Sequence, residues 1–212
     1  MPGTHPSLNM THSPDRLHEI PQSAALLLVL LEPPAPLEEE FNDWYDFEHF
    51  PQRMGVPGFV SGERWVAIAG WPRYLARYKL RDFGVFDSPD YLAISGSNNS
   101  PWSKRVLPRT LGRQRLALEV FSQKATHSNA TCLCLIMWTL DDAGHFEGLL
   151  QQVLTRVESL TGVTEAQWCR SDKQVVGVLG FDHIITQQDV TLLSRVEGVG
   201  TRMINIYIRY QR

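Results

Sequence analysis

The stretch Leu37–Val60, LEEEFNDWYDFEHFPQRMGVPGFV, decides how this chain is read, because it holds a helix, a turn and the start of a strand in one run. Phe41, Trp44, Tyr45 and Glu48 follow the i, i+3, i+4, i+7 spacing of one helix face. Glu38, Glu39 and Glu40 stand near the positive N-terminal end of that helix. Pro51 disfavours helical geometry at Phe50, so a helix is expected over Leu37–His49 with His49 in its last turn, one turn beyond Tyr45. Gly55-Val56-Pro57-Gly58 is a turn, and Phe59–Ala67 reads as a strand.

On either side the pattern extends. Residues 1–22 are rich in Pro, Ser, Thr and His without a period and are expected to form a flexible tail. Ser23–Leu31 is a nearly continuous apolar run, as expected of a strand covered on both faces. Tyr74–Leu80 forms a second hairpin strand, joined to the first through Gly70-Trp71-Pro72. Asp87-Ser88-Pro89-Asp90 opens a second helix with Ser88 as N-cap. Gly96–Ser100 is a loop, a short helix starts at Pro101, and Arg113–Ser122 alternates as a strand. The order is β-α-β-β-α-β. After the polar linker Gln123–Asn129 it repeats. Thr131–Leu140, Val163–Cys169, Gln174–Phe181 and Met203–Tyr210 are strands, and Gly144–Leu160 and Gln187–Val196 helices. Residues repeat too: VPGFV at Val56–Val60 and LTGVT at Leu160–Thr164 occupy equivalent turns, with Trp65 and Trp168 following. The expected fold is α+β, two tandem ferredoxin-like repeats packed as an α/β barrel. Residues 23–125 form the first repeat, carrying the candidate site, and 130–212 the second.

The chain has 212 residues, 43% apolar and 20% charged, with a net charge of −3. That is enough apolar content for a core, and it gives no global attraction for nucleic acid or anionic membrane. No apolar run approaches the roughly 20 residues that span a bilayer. There is no secretory signal pattern, and three cysteines make no disulfide framework, so a cytoplasmic setting is expected.

Glu40–Trp65, EFNDWYDFEHFPQRMGVPGFVSGERW, resembles the EthD-like group of dimeric α/β-barrel proteins, with its aromatic pair, histidine and proline in the first helix. YLARYKLRD (Tyr74–Asp82) and DSPDYLA (Asp87–Ala93) resemble the same group's second hairpin and second helix. The second half matches in architecture but not in motif: the position corresponding to His49 falls near Val153, with no histidine close by. The resemblance implies a mostly apolar pocket acting on a small organic molecule. The wider superfamily includes cofactor-free monooxygenases, isomerases, cyclases, dehydratases and haem-binding enzymes, and fold alone does not select among them.

His49 is the candidate catalytic group, since an imidazole titrates near neutral pH. The carbonyl end of its helix and Glu48 should favour the protonated form, and burial should oppose it. A helix-capping role is the alternative. Tyr45 could orient His49 or donate a proton, and otherwise fills the core. Arg53 either binds a carboxylate or developing enolate, or pairs on the surface with Glu48 or Asp46. Trp44, Trp65 and Tyr78 are expected to line the substrate pocket or to pack. Arg77 and Lys79 share the opposite strand face, which is ordinarily solvated. The acidic residues Glu38–Glu40, Asp43 and Asp46 read as a solvated helix face. His145 with Asp141/Asp142 suggests a metal only weakly. Cys132, Cys134 and Cys169 read as buried free thiols. No metal and no cofactor are expected, and no P-loop, G-x-G-x-x-G or G-x-S-x-G occurs.

These readings point to a small-molecule enzyme using histidine acid/base chemistry on an apolar oxygenated or aromatic metabolite, of isomerase, cyclase or dehydratase/lyase type. The alternatives are a cofactor-independent monooxygenase, a non-catalytic binder of a hydrophobic metabolite, and haem binding through His49. Nucleic acid and membrane are not expected partners; a homodimer is left open.

Overall fold

The computed structural model describes residues 25–125, 130–139, 146–171, 174–196 and 200–212. The tail 1–22, His145 and the Asp141/Asp142 pair lie outside the described residues. Eight strands, β1 (Ala25–Glu32), β2 (Phe59–Ala69), β3 (Tyr74–Leu80), β4 (Leu111–Ala125), β5 (Cys132–Thr139), β6 (Val163–Ser171), β7 (Gln174–Phe181) and β8 (Gly200–Arg209), form one closed barrel. Around it the order is β1-β3-β2-β8-β5-β7-β6-β4. Each half thus has the ferredoxin-like order, β4-β1-β3-β2 and β8-β5-β7-β6. The halves join edge to edge at β2–β8 and β4–β6, all antiparallel.

Strand length makes this closure. β4 has 15 residues and β2 has 11, against 8 in β1. β4 pairs with β1 over Leu111–Glu119 and with β6 over Glu119–Ala125. β2 pairs with β3 up to Val66 and with β8 from Trp65 onward. The overhanging ends take the partner half's edge, so the single chain has no open sheet edge.

Three cores follow from strand alternation. The barrel interior holds Leu26, Leu28, Leu30, Trp65, Leu133, Leu135, Met137, Val176, Val178 and Tyr207 among others. Outside the sheet, Leu27, Phe41, Trp44, Tyr45, Tyr78 and Tyr91 pack the first half's helices, and Trp138, Leu149, Val153, Trp168 and Leu193 the second half's. The apolar runs of β1 and β5 are buried on both faces, as the sequence implies. Each fully buried leucine contributes about 1.5–3 kcal/mol of apolar burial before entropy is subtracted.

The helices are α1 (Glu38–Trp44), α2 (Phe50–Met54), α3 (Pro89–Leu92), α4 (Pro101–Val106), α5 (Phe146–Glu158) and α6 (Thr191–Ser194). Ser88 caps α3 by accepting from the Tyr91 N–H at 3.2 Å, and Ser100 caps α4 through the Ser103 N–H at 3.0 Å. The helix expected over Gln187–Val196 shrinks to Thr191–Ser194.

Two expectations change. First, Pro51 does not stop the first helix. A π-helical turn, Tyr45–His49, links α1 directly to α2, and the helix runs on to Met54. The Phe50 N–H bonds the Tyr45 carbonyl, an i→i+5 contact, while Phe50 keeps helical angles. The widened turn absorbs a proline that has no N–H to donate and whose ring would crowd the preceding carbonyl. Second, Arg77 does not lie on a solvated face. It is buried inside one barrel mouth, bonded to Glu63 at 2.6 Å and to Glu165 at 3.1 Å, with Lys79 on Glu165 at 3.0 Å and Arg209 on Glu63 at 3.1 Å. These residues line an open cleft of about 530 Å³. Asn205, buried on the interior side of β8, accepts from the Trp71 N–H and donates to the Trp71 carbonyl and the Tyr207 hydroxyl, tying the β2–β3 hairpin to β8.

Gly62 sets how closely the helix approaches the sheet. A Cβ there would lie 2.8 Å from Met54 Sδ and 2.9 Å from the Phe50 ring. Gly62→Val should therefore destabilise the fold by about 1–3 kcal/mol, read as a lower urea midpoint.

Candidate active site

The π turn builds the site. In an α-helix, residues five apart point to different sides, but the wider turn brings Trp44 and His49 together with ring centroids 4.4 Å apart. Tyr45 meets the same imidazole edge-on at 5.2 Å. Ser103 on α4 accepts from the Trp44 indole at 3.0 Å and fixes that ring. Glu48 bonds the Ser100 hydroxyl and also accepts from Ser103 at 3.4 Å, which ties the turn to the cap of α4.

His49 is 7% exposed. Burial, with the charges of Arg53 and Arg64, pushes its pKa down to about 3. The expectation that the helix end and Glu48 favour imidazolium is therefore corrected. The helix does not end at His49, Glu48 turns to Ser100, and the nearby charges are positive. At neutral pH His49 is an uncharged imidazole, and no hydrogen bond contributes to its titration.

Arg53 is also placed differently from a surface ion pair. It is 7% exposed, its Nη1 has no hydrogen-bond partner, and its guanidinium lies 5.0 Å from the centre of the Tyr91 ring. The two carboxylates offered to it by sequence are engaged elsewhere. Asp46 pairs with Arg64 and accepts from the Tyr210 hydroxyl, and Glu48 serves the serines. Tyr45 and Tyr78 are fully buried. Their hydroxyls lie close enough to affect each other's ionisation, yet neither makes a hydrogen bond of proper geometry. Burial raises both phenols above their ordinary value, so both are neutral potential donors.

His49, Tyr45, Tyr78, Arg53 and Trp44 thus converge between the first helix and the outer face of the sheet. Trp65 does not join them. It points into the barrel under Arg209, whose guanidinium is 4.9 Å from its ring. The reason is a β-bulge between Phe59 and Ser61, which moves Ser61, Glu63 and Trp65 to the interior and leaves Val60 exposed. Residues that the sequence does not single out complete the site. Arg64 sits over Tyr45 at 4.4 Å and over Tyr210 at 4.0 Å, and it bonds Asn42 at 2.7 Å. Tyr210 follows β8, so the second half supplies part of the first half's site.

Among the described residues the second half has no counterpart of the buried histidine. Among the described residues its helix–sheet core is apolar, with Leu149, Val153 and Val157 facing Trp138 and Trp168. Its buried polar residues Glu165, Gln167 and Asn205 lie on the interior-facing side of their strands.

A haem does not fit at His49. Trp44 and Tyr45 cover the imidazole, and Phe50, Phe59 and Tyr91 pack around Tyr78 and Arg53. The 530 Å³ cleft carries no histidine. Among the described residues no group of three or more His, Cys, Asp or Glu is placed to hold a metal. Cys132 and Cys134 face the helices and Cys169 the interior, so these free thiols cannot converge.

No family model matches the chain, and no curated protein matches it. Solved structures do. An anthrone oxidase-like protein aligns over 90% of this chain and 92% of its own, with TM-score 0.63 and 8% identity. A protein assigned as a monooxygenase from Fusobacterium nucleatum aligns over 91% and 94%, with TM-score 0.59 and 9% identity. Another so assigned, from Lactobacillus acidophilus, aligns over 88% and 94%, with TM-score 0.57 and 10% identity. At such identities the likeness establishes the ferredoxin-like α/β barrel and nothing about chemistry. No described helix is long and apolar enough to cross a membrane.

Proposed function

We propose that this protein is an enzyme of the EthD-like kind that moves a proton on a small, largely apolar, oxygenated or aromatic metabolite, with His49 as the base and Tyr45 as its hydroxyl partner. One observation carries this reading. Among the described residues, only the first of the two equivalent helix–sheet interfaces holds buried polar residues on its helix, His49 and Arg53, and Tyr45, Tyr78 and Arg53 there have polar atoms without partners, against the one atom Arg156 Nη1 on α5. A buried unsatisfied group costs about 1–3 kcal/mol, so a cluster of them marks a place arranged for something other than stability.

The chemistry follows from the placement. A neutral imidazole accepts a proton from carbon next to a carbonyl, and the electron pair moves onto the carbonyl oxygen. The Tyr45 and Tyr78 hydroxyls face the developing charge. Return of the proton to another carbon is isomerisation. Its delivery to a departing hydroxyl is dehydration, and attack of the new carbon nucleophile on a second carbonyl is cyclisation. Trp44, Phe50 and Tyr91 supply aromatic walls. Substrate would enter by parting the short-helix segment of residues 81–100, whose Tyr91, backed by Phe86, covers Arg53 and Phe59.

A second reading is supported by the monooxygenases and the anthrone oxidase-like protein that share the barrel. In it the same carbanion is oxidised by dioxygen: a CH₂ becomes C=O, and one oxygen atom leaves as water. Incubation with anthrone, naphthols and aryl β-diketones under an oxygen electrode tests both. Product formation without oxygen uptake supports proton transfer alone, and stoichiometric uptake supports the oxidase. No turnover across the panel, with specific binding retained, would instead support a binding protein.

A further inference from the structure

We propose that the substrate is an oxyanion on an aromatic frame, and that its charged oxygen is held by Arg53 together with the hydroxyls of Tyr45 and Tyr78. This inference rests on the proposed active site and names the class of molecule that fills it.

Arg53 is the exception among the buried arginines. Arg64 pairs with Asp46 and Asn42, and Arg77 with Glu63 and Glu165. Among the described residues Arg53 makes no ion pair, although it is as buried as Arg64. A buried guanidinium without a counter-charge is strongly unfavourable. The nearest acidic side chains in sequence are already engaged, so no described residue supplies the counter-ion, and a bound anion would. The Tyr45 and Tyr78 hydroxyls, whose ionisation the Arg53 charge favours, are buried, lie near each other and have no other hydrogen-bond partner. Two neutral O–H donors and one guanidinium match an oxygen carrying negative charge. The neighbouring surface is aromatic: Phe50 and Phe59 flank Tyr78 at 5.7 and 5.5 Å, and Tyr91 covers the guanidinium. An apolar aromatic body with one charged oxygen fits both features.

The arrangement also couples binding to basicity. The charges depressing His49 are Arg53 on α2 and Arg64 on β2, and the rings facing it are Trp44 and Tyr45. An anion seated on Arg53 offsets the first of these charges, so the imidazole becomes a better base when substrate is present.

The test uses 2-naphthoate and its neutral isostere 2-naphthamide as probes, with binding measured calorimetrically on the full chain at pH 7. Wild type should bind the acid at least about tenfold more tightly than the amide, and Arg53→Gln should abolish that preference. A bound carboxylate should raise the His49 pKa, read by NMR on labelled imidazole, and the amide should not. Arg53→Met should raise the melting temperature by about 2–4 °C, because it removes an unpaired charge. Equal affinity for acid and amide, or binding of neither at millimolar concentration, would overturn the inference. A lower melting temperature in Arg53→Met would do the same by showing a structural partner. 2-Naphthol separates the two oxyanions: its affinity should rise with pH as the phenol ionises, whereas that of naphthoate stays flat. The outcomes are separable from the enzyme reading. Equal binding of the probes with turnover lost in His49→Phe defeats the anion and keeps the enzyme. Acid preference with turnover intact in His49→Phe keeps the anion and defeats His49 as the base.

Discussion

As pH falls from 6.5 to 3, wild-type protein should lose about 4 kcal/mol of stability that His49→Phe does not lose. The sign follows from linkage. The His49 pKa is depressed from 6.5 to about 3 by burial first, then by Arg53 and Arg64. Between those values the unfolded chain binds a proton that the folded chain refuses, so stability declines as pH falls through the window. At about 1.36 kcal/mol per pH unit, a window of roughly 3.5 units gives an upper figure of about 5 kcal/mol, which partial titration at its two ends brings to about 4. Carboxylates titrate in the same range in both proteins, so the difference between the two urea-unfolding curves isolates the imidazole. A difference that stays constant with pH would place His49 in contact with water and remove the enclosed site. An equal stability of the two proteins at pH 8, where the imidazole is neutral in both states, is not required.

The second large effect lies at the barrel mouth. Glu165→Ala should destabilise the protein by about 3–5 kcal/mol, because it leaves Arg77, only 3% exposed, with one carboxylate instead of two. Burial alone would raise the Glu165 pKa, but Arg77 and Lys79 outweigh it and hold the carboxyl below its usual range. Its contribution is therefore present above the unfolded carboxyl value and is lost as pH falls through the lower folded value. Breaking Glu119–Arg170, where both side chains are about half exposed, should change stability by less than about 1 kcal/mol. Urea midpoints of the two alanine variants at pH 7 make the comparison. Similar small losses in both would mean that the Arg77 cluster is solvated and does not help join the two halves. That cluster links β3 of the first half with β6 of the second, strands that are not neighbours in the barrel.

Much of the fold is legible because strand and helix periods survive in this sequence. The apolar runs of β1 and β5, the two equivalent glycine turns and the order of elements give a duplicated ferredoxin-like barrel. Its closure within one chain follows from the overhang of β2 and β4, which shows only once pairing registers are known. The site is half legible. Trp44 and Tyr45 pack on His49 and Tyr78 lies near Tyr45, since the spacing of the first helix and the alternation of β3 place them on facing surfaces. The π turn is not legible, because a proline in a helix-forming stretch has two outcomes, a stop or a widened turn, and packing decides between them. Trp65 is misplaced by one bulged residue, Val60, which inverts every side chain after it. The burial of Arg53 depends on Glu48 finding Ser100 and on Asp46 finding Arg64, contacts distant in sequence. Tyr210 enters from the other half of the chain, and no local pattern points to it.

The two halves differ most in polarity at this interface. In the second half, the interface that would match the site is filled by Leu149, Val153, Val157 and two tryptophans, as expected of a surface selected for stability alone. In the first half the same space holds an imidazole, a guanidinium and two phenols. Such a cluster costs stability, which agrees with the proposed role of this interface in binding a ligand.

The central claim is that the enclosed His49 moves the proton. The most direct measurement compares wild type and His49→Phe on the substrate found in the aromatic panel, with folding of the variant verified by its unfolding curve at pH 8. The account predicts a fall in kcat of about 10²–10⁴-fold, the span typical of losing a general base. Full turnover by folded His49→Phe would contradict it.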